Sequence, residues 1–112
     1  MTWKTINESV TVHYPHFTMT GSIEYDPAQA SLAQIHAETG EDEVLSVDLS
    51  GYGYVPGPDE VFVKDWSGHN GFAAALQAVG VIEIVGEVLV GPFMSRACRV
   101  RLVRRPPQGG HS

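Results

Sequence analysis

Period-two alternation of apolar and polar residues dominates this chain. Val10, Val12 and Tyr14 alternate with Thr11 and His13; after Pro15-His16, Phe17, Met19, Gly21, Ile23 and Tyr25 alternate with Thr18, Thr20, Ser22 and Glu24. That spacing sends one set of side chains to a core and the other to water, so it predicts two half-buried strands. Leu45, Val47 and Leu49 repeat the pattern, as do Cys98, Val100 and Leu102 against Arg99 and Arg101. Val81–Val85 and Glu87–Val90 add β-branched strand material around Gly86, a bulge or turn signal, and Gly91-Pro92 marks a turn.

A helical period replaces this alternation at residues 71–79. Phe72, Leu76 and Val79 fall at i, i+4 and i+7 on one face, Ala73–Ala75 permit close approach to a sheet, and Gly80 ends the run. Ser67 or Asn70 supplies a side-chain cap. Residues 26–49 carry two competing signals. Asp26 as N-cap, Pro27 at the first helical position and Gly40 past the end punctuate a helix. Alternatively Ser31–Ala37 and Glu43–Leu49 are the arms of a β-hairpin around ETGED, with Ile35, Leu45, Val47 and Leu49 inward and Gln34, His36, Ser46 and Asp48 outward. The segment GYGYVPGP is a crossing loop or a lid, whose Tyr52 and Tyr54 either cover a core edge or stack on a ligand. These elements predict one α+β domain over residues 1–103, a mainly antiparallel sheet packed against one short helix, and a disordered tail over 104–112.

Composition agrees with that class. The 112 residues are 43% hydrophobic, enough for a core, and the 12 Gly and 7 Pro favour a turn-rich β domain over a bundle. No apolar run reaches the roughly 18 residues of a membrane span, and the N-terminus lacks the basic and apolar regions of a signal peptide, so a soluble, cytoplasmic protein is expected. The lone Cys98 sits in an alternating strand and reads as a small buried hydrophobe. Charge sharpens the picture: the net −6 divides into ten acids and one base over residues 1–63, then three acids and six bases over 64–112. Arg99 and Arg101 are expected to pair with acids on the same sheet face, and the overall acidity disfavours direct nucleic-acid binding.

Polar chemistry concentrates in the loop before the helix. Lys64, Asp65, Trp66, Ser67, His69 and Asn70, with Tyr52 and Tyr54, are the candidate binding residues. Asp65, Ser67 and His69 are the residue types of a hydrolytic triad. Their crowding within five positions works against triad geometry, and no nucleophile elbow accompanies them. His13 and His16 share a spacing that Pro15 disrupts, so a metal site would need His36 or His69 brought in by the fold. Lys64 before a helix N-terminus suits an anion, but no nucleotide fingerprint is present. No catalytic residue, metal or cofactor is assigned.

The runs ETGEDEVLSVDL and EVFVKDWSGHNGFAAALQAVGVIE, then a Gly and CRVRLV, resemble small bacterial and phage- or plasmid-borne proteins. In these a TGE turn joins two strands and a V-x-I-K-D/N-Y/W-S-x-N-x-G segment precedes a helix ending in A-G-I-V. Where that pattern carries acids between Ser and Gly, this chain has Gly68, His69 and Asn70. The resemblance implies a compact α+β domain, the hairpin for residues 31–49 and mobile-element ancestry; it brings no activity, cofactor or catalytic residue. A non-catalytic accessory domain acting on a protein partner is the leading expectation. An acidic inhibitor or DNA mimic ranks second, and a small hydrolase or transferase using His69 third.

Overall fold

The computed structural model describes residues 3–66 and 69–103. Alternation becomes strand as expected: β1 Lys4–His13, β2 Thr18–Asp26, β3 Ser31–His36, β4 Asp42–Val44, β5 Glu60–Lys64, β6 Ile82–Val90 and β7 Ser95–Leu102, with one helix, α1, Phe72–Ala78. The first four form an antiparallel meander in sequence order, and the last three form a second antiparallel sheet ordered β5-β7-β6. Both sheets and the helix enclose one core. Val12, Met19, Ile23 and Leu32 come from the first sheet, Val61, Val63, Cys98 and Val100 from the second, and Phe72, Ala73 and Leu76 from α1.

Ser46 marks the crossing between sheets. After β4 pairs with β3 over Asp42–Val44, the chain turns away and Ser46 bridges Val63 of β5. The Ser46 hydroxyl accepts the Leu32 N–H at 2.9 Å while the Val47 N–H donates to the Phe62 carbonyl at 2.9 Å, so both sheets are hydrogen-bonded at the join.

Residues 26–49 therefore resolve as strands, with corrections to both readings. Asp26 caps no helix; its Oδ1 accepts the Ala28 N–H at 3.0 Å in an Asx turn that leads from β2 into β3, with Ala30 at φ 50° completing it. The return arm is β4 alone, shorter than Glu43–Leu49, because Ser46 and Val47 pair with the other sheet. Gln34 and Ser46, expected outside, are buried, while Ile35 is only half-buried. Gln34 is accommodated because the Tyr14 hydroxyl donates to its Oε1 at 2.7 Å and its amide donates to the Val10 and Met19 carbonyls at 3.1 and 3.3 Å.

The helix keeps its expected face: Phe72, Ala73 and Leu76 are buried and Val79 packs beside them. Its start differs. No side chain caps it, Asn70 is exposed, and Gly71 takes the N-cap at φ 85°, a conformation glycine adopts without strain. The bulge falls between Ile84 and Gly86, as the strand break suggested. Arg99 and Arg101 lie 3.0 Å from Glu60 and 2.7 Å from Glu83, the cross-strand pairing their alternation implied. No helix among the described residues is long and apolar enough to cross a membrane. Ser67 and the tail 104–112 lie outside the described residues.

Candidate functional site

Strand parity decides where the candidate loop sends its side chains. In β5, Val61 and Val63 belong to the main core and Phe62 to a second apolar cluster with Leu49, Val90 and Ala97. Continuing that alternation past Lys64 carries Asp65 inward and Trp66 to the Phe62 side. Asp65 is accordingly buried, and Trp66 packs on the second cluster with Val47, Tyr54 and Val88.

Asp65 holds the loop together. Its Oδ1 accepts the Gly71 N–H at 2.6 Å, and its Oδ2 accepts from the Arg96 guanidinium and, at 3.8 Å, from the Cys98 thiol. The Asp65 N–H donates to the Arg96 carbonyl at 3.1 Å, extending the β5–β7 ladder by one residue. Asp65 therefore occupies the position before α1 that an exogenous anion would need, and its charge raises the Arg96 pKa further. Burial, then the charge of Asp65, pushes the Cys98 thiol up to about 11, so it stays protonated and non-nucleophilic at neutral pH.

His69 takes a third direction. Its ring packs on Phe72 at 4.6 Å between centroids, next to Tyr14 and Phe17, which also contact Phe72. Glu43 Oε2 lies 3.3 Å from His69 Nε2, an ion pair when the imidazole is protonated, though not in hydrogen-bond alignment. Burial and then the charge of Glu43 raise the Tyr14 phenol above its ordinary range, so it remains a donor to Gln34. Asp65 makes its contacts with Arg96, Gly71 and Cys98, not His69, and the triad reading loses its acid. Two other histidines have local roles: His13 Nδ1 contacts the Thr18 hydroxyl at 3.0 Å, and His36 Nδ1 accepts the Glu38 and Thr39 N–H groups at 3.1 and 3.3 Å. Among the described residues no three His, Cys, Asp or Glu side chains converge as metal ligands.

The loop thus supplies no single site. Lys64 is half-buried, with no ion pair among the described residues, and Asn70 is exposed. Tyr54 packs edge-on against Phe62 at 6.2 Å, covering the outer face of the second sheet. Trp66 and Tyr52 do converge. With Asp48, Leu49, Val90 and Phe93 they line a groove of about 280 Å³ between the crossing loop and the β6–β7 turn. Phe93 is 90% exposed and Tyr52 58%, with Met94 exposed beside them. Sequence reasoning missed Phe93, whose signal was an aromatic residue in a Gly-Pro turn where no alternation assigns it to a core. It also missed Glu43 and Tyr14 as neighbours of His69. Comparison with protein-family models, with curated proteins and with solved structures finds no match to this chain.

Proposed function

We propose that the chain is a non-catalytic binding domain acting through protein–protein contacts, with the Tyr52–Trp66–Phe93 groove as its contact surface. The observation that carries this reading is the exposure of aromatic side chains around a groove with a rigid floor. Phe93 is almost wholly exposed and Tyr52 more than half exposed, while Trp66 packs from below on the second cluster. Tyrosine and tryptophan anchors of this kind carry much of the energy in protein interfaces. About 280 Å³ accommodates one or two apolar side chains of a partner rather than a large cofactor.

Charge refines the partner. Asp48 lines the groove, and the Ser50 N–H, donated to it at 2.9 Å, holds its carboxyl below the usual range, so it is ionised at neutral pH. A fitting partner presents an apolar anchor flanked by Lys or Arg. A cytoplasmic setting and mobile-element ancestry belong to this proposal as well, supported by the lone thiol and by the resemblance.

The double variant Tyr52→Ala, Phe93→Ala tests the proposal by affinity capture from host extract. Both side chains are exposed, so the thermal midpoint should stay near wild type. Affinity for the partner should fall by about 2 kcal/mol or more, roughly thirtyfold. Undiminished capture by the folded variant would move the contact surface elsewhere.

A further inference from the structure

We propose that the end of β6, residues 88–90, pairs antiparallel with the same residues of a second copy of this chain. The strand is an edge of its sheet. Hydrogen-bond parity shows which of its backbone groups are open. The Asp65 N–H bonds the Arg96 carbonyl, and Val63 and Cys98 are partners in the same ladder, so the main-chain groups of Arg96 and Cys98 face β5. Their β6 partners, Leu89 and Glu87, therefore direct N–H and C=O away from β7. Upstream of the bulge the corresponding donor is already covered, because the Gln77 side chain accepts the Ile84 N–H at 2.7 Å. Downstream no hydrogen bond to the Leu89 main chain is made among the described residues; the bulge at Ile84–Gly86 and the charge of Glu87 guard the edge up to that point and leave Val88–Val90 open to pairing.

Two-fold symmetry and side-chain chemistry select the occupant and the register. Centring the pair on Leu89 places Leu89 opposite Leu89 of the second copy and Val88 opposite Val90, with the ladder ending where Gly91 turns away at φ 76°. The paired side chains are then all apolar, and Leu89, 48% exposed in the single chain, gains a partner. Centring on Glu87 would oppose two carboxylates. An antiparallel strand meeting itself exchanges both hydrogen bonds of the central residue, the self-complementary contact that a closed dimer requires.

This edge adjoins the groove, sharing Val90 with its lining, but Leu89 lies outside the groove and the test needs no other protein. Sedimentation of the full chain from low micromolar to near-millimolar concentration should show the mass rise from 12.1 kDa to twice that value. Leu89→Lys, which opposes two cations across the axis, should remain monomeric throughout with an unchanged circular dichroism spectrum. In the wild type, exchange of the Leu89 amides, one from each copy, should slow by roughly tenfold as concentration rises, a readout that stands even if the variant fails to fold. A wild-type monomer over the whole range, a Leu89→Lys dimer, or exchange at these amides independent of concentration overturns the proposal.

Discussion

Leu76→Asp should leave the chain without a cooperative thermal transition. Leu76 is fully buried on the α1 face, among Phe72, Ala73 and the apolar side chains of both sheets. Truncating such a leucine typically costs about 2–5 kcal/mol, and placing an unpaired carboxylate in the same site adds its desolvation. The total approaches the roughly 5–15 kcal/mol that holds a small domain folded. Leu76→Ala, which removes only the apolar contacts, should still fold with its midpoint lowered by roughly 10–20 °C. Circular dichroism melts of the pair give the comparison; a wild-type midpoint for Leu76→Asp would take the helix out of the core.

Gly21→Ala is the second large effect, and it acts on the backbone. A Cβ at this position would stand 1.7 Å from the Ile35 carbonyl oxygen and 2.7 Å from its carbon. Neither atom belongs to a side chain that can turn aside. Gly21 pairs with His36 in the β2–β3 ladder, and the Ala37 N–H reaches the Thr20 carbonyl beside it at 3.0 Å. Opening this approach separates the strands that also hold Gln34, so a single methyl group is expected to cost about 3 kcal/mol or more. Chemical denaturation of Gly21→Ala measures it. A midpoint equal to wild type would mean that β2 and β3 are not this close.

The contrast between Gly21 and Gln34 shows what the sequence could convey. Gly21 sat on the inward side of a clean alternation, and the strand around it was legible from Met19, Ile23 and Tyr25. Gln34 was legible only as a polar residue, because its burial depends on a tyrosine hydroxyl twenty positions away that meets it through the fold. Asp26 was ambiguous for a deeper reason. An N-cap and an Asx turn use the same bond, from an Asp carboxylate to an N–H two residues on, and only pairing with β3 distinguishes them. Likewise, Phe72, Leu76 and Val79 announced the helix face, whereas its start depended on Asp65 reaching Gly71 across six residues.

The candidate site divides along the same line. Residue types and loop position drew attention to Lys64–Asn70. Strand parity within that loop, Asp65 inward and Trp66 outward, was available from Val61, Phe62 and Val63 and would have separated the two. That His69 meets Glu43 and Phe72, and Trp66 shares a groove with Tyr52 and Phe93, are tertiary facts with no local signature.

One short loop places Trp66 and His69 in different environments, the indole on the second apolar cluster and the imidazole on Phe72. Nuclear Overhauser contacts of the two rings test it most directly. Expected are contacts from the Trp66 indole to the methyl groups of Leu49 and Val90, and from the His69 imidazole to the Phe72 ring. Contacts between the Trp66 and His69 rings themselves, with those to Leu49 and Val90 missing, would contradict this arrangement and restore a single site on the loop.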